Sequence, residues 1–229
     1  MKRPYVIVHM MMTVDGRIDC PVVAQVSGQE YYDALDMLGK CSKLSGRVTA
    51  ALECTAVKAE STVDAHAELM DEETVNVATK SDEYTIVMDS HGRLQWQANE
   101  ADGHPMLCIL SEDVSKSHLQ KMREQGISWI STGKGHINLV HAMELAYERF
   151  GIERIAVVGG GNICGGFLAA GLVDEVSVMM APGIDGRKGQ TAVFDGIVKD
   201  NDKPYRLKLN NVQQWEGTET IWMRYTVKR

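Results

Sequence analysis

With 229 residues, 44% of them hydrophobic and 24% charged, the chain is long enough to bury roughly 70% of the surface it exposes when unfolded, and this composition excludes a disordered or fibrous protein. A formal net charge of −7 without any basic tract argues against a nucleic-acid partner, because phosphate binding rests on Lys and Arg. Five widely spaced cysteines with no C-x-x-C pair (Cys20, Cys41, Cys54, Cys108, Cys164) read as reduced thiols of a cytoplasmic protein, and no run approaches the ~20 apolar residues of a membrane span.

The first apolar run, 4–12, reads as a strand by its length and β-branched content. Thr13-Val14-Asp15-Gly16-Arg17 follows, with Asp-Gly a favoured turn dipeptide. Ser27 with Glu30 three residues later has the form of a capping box, and Tyr31, Leu35 and Leu38 follow at helical spacing. A short segment over 42–45 leads into Gly46-Arg47-Val48-Thr49 and a helix. The stretch 59–80 is polar and acidic and carries no clear period. Strands are expected over 84–88 and 106–110, a helix over 116–125 closed by Gly126, and a strand over 127–130 running into Thr132-Gly133-Lys134-Gly135. Leu139, Met143, Ala146 and Phe150 make one face of a helix that Gly151 stops. A buried strand over 155–158 passes straight into Gly159-Gly160-Gly161-Asn162 and a short helix, and a strand over 175–180 follows. Segments 205–212 and 220–227 flank Glu216-Gly217 as two closing antiparallel strands. Apolar runs alternating with helical patterns, without repeat or linker, predict an α/β fold with a largely parallel sheet and an antiparallel edge.

The densest local signal is Ile155-Ala156-Val157-Val158-Gly159-Gly160-Gly161-Asn162-Ile163. Glycines between a buried strand and a helix let backbone N–H groups come close to a ligand, and the helix start adds partial positive charge suited to phosphate. The same residues also suit a tight strand–helix turn with no ligand. The pattern is not the Rossmann fingerprint, since G-x-G-x-x-G read from Gly159 ends on Cys164. Arg47 suits a phosphate such as the 2′-phosphate that separates NADPH from NADH, and Thr49 suits a helix cap; a surface arginine beside a cap is the plainer alternative. Asp89-Ser90 and Gly133-Lys134-Gly135 lie where α/β sheets place ligands, past the C-terminal ends of strands. Asp15, just past the first strand, suits a hydrogen bond to an aminopyrimidine or a ribose, or a plain hairpin turn. The seven histidines form no metal set; His136 and His141 are five apart and miss a common helix face. Cys54, Cys164 and Met10-Met11-Met12 read as core or pocket wall.

Together Thr13-Val14-Asp15-Gly16-Arg17-Ile18, Asp89-Ser90, Gly159-Gly160-Gly161-Asn162, Gly171-Leu172-Val173-Asp174-Glu175-Val176 and Ala181-Pro182-Gly183-Ile184-Asp185-Gly186 resemble the reductase domain of riboflavin biosynthesis, the RibD C-terminal-like family. Gly46-Arg47-x-Thr49 resembles the cofactor turn of dihydrofolate reductase, a fold relative. The resemblance implies a three-layer, mostly parallel mixed sheet flanked by helices, of dihydrofolate reductase type, in a single domain over 1–229. It implies a cytoplasmic homodimer that uses NADPH to reduce a ribosylaminopyrimidine 5′-phosphate, of the 5-amino-6-(5-phosphoribosylamino)uracil type, by hydride transfer to the sugar C1′. Gly46, Arg47, Thr49, Ser90, Gly133, Gly159, Gly160, Gly161, Asn162 and Ile163 are then expected around the cofactor. Met12, Asp15 and Cys54 are expected at the substrate, with Asp15 as the catalytic group that orients it or relays a proton. No metal, nucleic acid or membrane is expected. Two other readings stay open: a reductase of the same fold acting on a pterin, a dihydrofolate-like ring or another carbonyl, and a nucleotide-binding protein without turnover. The chain departs from the family where Cys54-Thr55-Ala56-Val57 is followed by Lys58-Ala59-Glu60 instead of paired aspartates and a proline, and at Val158, where Glu is frequent.

Overall fold

The computed structural model describes residues 2–18, 20–58, 66–198 and 201–228. The chain falls into two compact units, Tyr5–Cys41 with Ala156–Arg229 and Met1–Pro4 with Ser42–Ile155. The strands are β1 (Tyr5–Met12), β2 (Ser42–Gly46), β3 (Val57–Lys58), β4 (Thr74–Asn76), β5 (Thr85–Met88), β6 (Gln95–Trp96), β7 (Glu100–Ala101), β8 (His104–Leu110), β9 (Ser128–Ser131), β10 (Arg154–Gly159), β11 (Glu175–Met180), β12 (Leu207–Gln214) and β13 (Ile221–Val227). The helices are α1 (Cys20–Val23), α2 (Glu30–Asp36), α3 (Arg47–Glu53), α4 (Lys116–Glu124), α5 (Leu139–Phe150) and α6 (Gly161–Ala169). The expected architecture is the one found: short parallel strands alternate with helices, and an antiparallel hairpin closes the chain.

In the unit that holds both chain-terminal strands, the order is β12–β13–β11–β1–β10. β1 and β11 run parallel, with Ile7 opposite Glu175 and Met12 opposite Met180; β13 is antiparallel to both β11 and β12. Val6, Ile7, Val8, His9, Met10 and Met11 are all buried, so β1 is covered on both faces, which is why its sequence is a continuous apolar run rather than an alternation. Ile7, Met11, Leu35, Leu38, Met179 and Trp222 belong to one core cluster. His9 is the polar member of this strand. Trp222 Nε1 donates to Ser177 Oγ at 2.8 Å, leaving the Ser177 hydroxyl proton for His9 Nδ1 at 2.9 Å and His9 Nε2–H for the Tyr31 carbonyl at 3.1 Å. One neutral tautomer satisfies every partner, and burial pushes the imidazole pKa down to about 4.

In the other unit the order is β2–β5–β8–β9–β4, with β7 paired to β8 and β3 paired to β6 in a separate ribbon. The pairings β2–β5, β5–β8 and β8–β9 are parallel and β9–β4 is antiparallel. Val87, Leu94, Met106, Leu110, Met122 and Trp129 share its core. Ser115 caps α4 by accepting from His118 N at 3.2 Å, and Asn138 caps α5 by accepting from His141 N at the same distance. Gly151 closes α5 at φ 71°, in the left-handed region that glycine adopts without strain.

The expected capping box is not formed. α2 starts at Glu30 behind Gln29, and Ser27 Oγ turns back to the Val23 carbonyl at 2.8 Å. The Glu30 carboxylate does reach a backbone donor, Gly28 N at 2.9 Å, but its other oxygen accepts from Thr220 Oγ1 at 3.1 Å. This tertiary contact holds the side chain buried and outcompetes the local motif. Within the unreadable stretch, β4 pairs with β9, while 59–65 lie outside the described residues. Among the described residues no helix is long and apolar enough to cross a membrane.

Candidate active site

In the first unit, chemistry collects where β1, β10 and β11 end. Gly159 closes β10, Gly160 is the N-cap of α6 and Gly161 is its first residue. Gly160 has φ −81° and ψ 170°, backbone any residue adopts, so glycine serves there to leave the helix start uncovered. No side chain caps α6, and the partial positive charge at its start suits an anionic ligand. Ile163 N and Cys164 N bond the Gly160 carbonyl at 3.0 and 3.1 Å, and Asn162 is exposed at the helix start. Gly161 has a different reason to lack a side chain. A Cβ there would lie 2.1 Å from the Ala192 carbonyl oxygen, and one at Gly165 2.0 Å from that of Asp195. The 191–197 segment therefore lies directly on the backbone of α6.

The turn after β1 holds the stretch that leads into that segment. Thr13 Oγ1 donates to Asp15 Oδ1 at 2.6 Å. The same carboxylate accepts from Asp185 N at 3.1 Å and, through Oδ2, from Gly186 N at 2.9 Å. These hydrogen bonds hold its pKa down to about 2, the Thr13 bond being the largest cause. Val14 N donates to the Gly183 carbonyl at 2.8 Å, and Arg17 Nη1 to the Gln190 carbonyl at 2.5 Å. Asp15 is thus an exposed, ionised carboxylate spent on backbone donors of 185–186. Its hydrogen bonds tie the turn after β1 to the 185–186 loop. Met12, half-buried, ends β1 and bonds Ala181 N through its carbonyl at 2.8 Å.

In the second unit Gly46 ends β2 and is the N-cap of α3, at φ −81° and ψ 164°, again without a capping side chain. The two strand-to-helix handovers, at Gly46 and at Gly160, share nearly the same backbone conformation. Thr49 is the third residue of α3 and does not cap it, because the helix begins three residues earlier than that role requires. Arg47 is the first helical residue, and its charge favours the ionised form of Asp89. Burial nevertheless raises the Asp89 pKa above the usual carboxylate value; Oδ2 accepts from Leu94 N at 2.8 Å, while Oδ1 is buried without a partner among the described residues. The Ser90 carbonyl accepts from Ser111 N at 2.9 Å and Oγ at 2.7 Å. Gly133 has φ +86°, and a Cβ on it would meet the His136 carbonyl oxygen at 2.4 Å. Its N–H goes to Glu112 Oε1 at 2.8 Å, so this glycine shapes its own turn and has no amide to offer a phosphate. Cys54 is the half-buried C-cap of α3, its thiol pKa raised chiefly by burial.

Sequence reasoning named Arg17 only within its motif and missed its contact with Gln190 and the packing of the 191–197 segment on α6. The spacing of Gly161 and Gly165, one helical turn apart, was the available sign that a chain crosses there.

The chain is 27% identical over 229 residues, 99% of each chain, to a 2,5-diamino-6-ribosylamino-4(3H)-pyrimidinone 5′-phosphate reductase from Methanothermobacter thermautotrophicus. It is 25% identical over 198 residues, 86% of this chain and 84% of the relative, to a protein of the same name from Aquifex aeolicus. Its fold is shared by a pyrimidine reductase-like protein from Corynebacterium diphtheriae, with TM-score 0.73 and 17% identity over 99% of this chain and 92% of the other. It is also shared by the Saccharomyces cerevisiae riboflavin biosynthesis reductase Rib7, with TM-score 0.63 and 15% identity over 99% and 90%. The model of the RibD C-terminal domain matches residues 4–219, a span that includes both units and every candidate residue named above, and the chain belongs to that family.

Proposed function

We propose that the protein is an NADPH-dependent reductase of a ribosylaminopyrimidine 5′-phosphate, working as a single cytoplasmic reductase domain over its whole length and as a homodimer. The observation that carries this reading is the start of α6: β10 ends on Gly159 and the helix begins behind Gly160 with no capping side chain, which suits a phosphate of the cofactor. The near full-length likeness to the two pyrimidinone phosphate reductases supports the substrate class.

In this reading Gly159, Gly160, Gly161, Asn162 and Ile163 cradle the pyrophosphate. Gly46, Arg47, Thr49 and Ser90 hold the adenosine end, with Arg47 on the 2′-phosphate, and Gly133 keeps its loop clear of the cofactor. Met12 and Cys54 contact the substrate. Asp15 fixes the 183–186 loop that orients it. When bound, the nicotinamide supplies the hydride that reduces C1′ of the ring-opened imine. The protein contributes position and local charge.

The test is NADPH oxidation with three substrates: the 2,5-diaminopyrimidinone ribosyl phosphate of the curated relatives, its uracil counterpart, and dihydrofolate. Saturable oxidation with a ribosylaminopyrimidine and none with dihydrofolate is expected. Binding of NADPH without oxidation of any of the three would leave a nucleotide-binding protein without turnover.

A further inference from the structure

Asp89 is a buried carboxylate to which the reduction gives no task. It follows β5, and its backbone is pinned: its N–H donates to the Ile109 carbonyl, and its carbonyl accepts from Gly92 N, both at 3.0 Å. Oδ2 accepts from Leu94 N at 2.8 Å. Oδ1 has no partner among the described residues, although Asp89 is only 1% exposed. A charged oxygen sealed from water without a donor is costly, so the place favours a neutral acid unless a cation offsets the charge. Register supplies that cation. Gly46 lies opposite Met88 in the parallel β2–β5 pair, so Arg47 and Asp89 leave neighbouring strands, ~5 Å apart, at the same level. Arg93 adds its charge from the turn before β6, and the Cys108 thiol faces the carboxyl from β8. His118 of α4 packs on Gly92, where a Cβ would lie 2.7 Å from its ring. Burial keeps Cys108 protonated and lowers the His118 pKa to about 4, so among the described residues the two guanidinium groups are the charges Asp89 meets. Burial raises its own pKa, against the Leu94 and Arg93 backbone N–H groups and the charges of Arg47 and Arg93.

We propose that Asp89 is a specificity-determining residue that makes NADPH, but not NADH, bind together with a proton. The inference rests on the reading above, in which Arg47 holds the 2′-phosphate. A phosphate paired with Arg47 cancels the cation that register sets beside Asp89 and adds negative charge next to a carboxyl whose backbone is fixed. Asp89 then takes a proton from solvent on Oδ1, the oxygen that no donor occupies. Oδ2 keeps its bond from Leu94 N, as the carbonyl oxygen of a neutral acid does. The acid no longer repels the phosphate, and the buried charge is gone. NADH has no 2′-phosphate, so with it Arg47 still offsets the ionised carboxyl and no proton is needed there. The orphaned oxygen thus fits a ligand that brings extra negative charge to this end, and an ionised Asp89 holds such a ligand less tightly as pH rises.

The test is calorimetric titration of the full-length protein with NADPH and with NADH at about pH 7.5, in two buffers of different ionisation enthalpy, which counts the protons taken up per cofactor bound. A phosphate monoester, with its second pKa near ~6, is already ionised there, and pairing with Arg47 gives it no cause to gain a proton. An uptake of ~0.3 proton or more is expected with NADPH and none with NADH, so that NADPH loses ~2-fold or more of its advantage over NADH per pH unit. Asp89→Asn removes the uptake and binds NADPH at about pH 8 at least as tightly as the wild type, whereas loss of a merely structural side chain would weaken it. Arg47→Gln removes the uptake as well. Where Asp89→Asn does not fold, the wild type and Arg47→Gln decide. Equal proton counts for the two cofactors, undiminished uptake in either variant, or weaker NADPH binding by a folded Asp89→Asn overturns the proposal. Saturable NADPH binding with no proton taken up refutes this coupling and leaves the reductase standing; no saturable binding of NADPH refutes both.

Discussion

His9 and Asp15 show how a single residue's role is set by partners far along the chain. His9 reads in the sequence as one histidine in an apolar strand. Its donor and acceptor lie 168 and 22 residues away, at the Ser177 hydroxyl and the Tyr31 carbonyl, and nothing local announces them. Burial lowers its pKa from 6.5 to about 4, so the neutral form stabilises the fold fully above pH 6.5, and that contribution is lost as pH falls towards 4. The loss amounts to about 3 kcal/mol at most, by proton linkage. Denaturant unfolding between pH 7 and 4 should show it. His9→Leu should start less stable by about 1–3 kcal/mol, from the orphaned Tyr31 carbonyl and the lost packing, and show a flatter acid slope. Asp15 has the same sign at lower pH: its depressed pKa gives stability present above pH 3.8 and lost as pH falls through about 2. Asp15→Asn keeps an acceptor for Thr13 but loses one for Gly186 N. It should raise the substrate KM more than it lowers kcat, with no shift of the neutral limb of the pH–rate profile. A proton relay would move that limb.

At the scale of elements, long strands and helices were legible because their apolar periods are unbroken and glycines stop them, as Gly126 and Gly151 do at φ 72° and 71°. Strands β3, β4, β6 and β7, of two or three residues each, carry no period to read. The glycine run was legible as a site, but its division of labour was not. Gly161→Ala should cost about 1–3 kcal/mol, since its Cβ meets the backbone of Ala192. Gly160→Ala, in ordinary backbone, should leave the unfolding midpoint close to that of the wild type and weaken NADPH binding ~10-fold or more. Titration and thermal melts of the pair separate packing from ligand approach. Helix α5 is tied to the segment before β4 by His141, whose two ring nitrogens face Glu73 at 2.9 Å and Glu144 at 3.0 Å. Only the imidazolium donates to both. Its pKa is raised, the Glu144 hydrogen bond first among the causes, so the tie is fully present below pH 6.5 and lost as pH rises through the higher folded value. With both Glu73 and the ring well exposed, it is worth under ~1 kcal/mol. His141→Gln should remove that slope from a stability–pH profile.

At the scale of the molecule, the α/β class, the parallel majority and the closing hairpin follow from element order alone. The division into two units does not. The boundaries fall at Pro4/Tyr5, directly before β1, at Cys41/Ser42, directly before β2, and at Ile155/Ala156, inside β10; none lies in a stretch of the glycine- and proline-rich composition that marks a linker. The family motifs were legible because they sit on strand ends, where side-chain identity is tied to ligand chemistry. The substrate ring was less so, because the chain departs from the family at 54–60 and at Val158. The measurement that tests the reductase assignment most directly is isotope transfer. The protein is incubated with the ribosylaminopyrimidine 5′-phosphate and NADPH deuterated at the transferable position, and the product is read by mass spectrometry and NMR. The account predicts a ribityl product with one deuterium at C1′, formed faster with NADPH than with NADH and losing that preference in Arg47→Gln. Unchanged substrate beside intact cofactor, or a reduced product with no label at C1′, would contradict it.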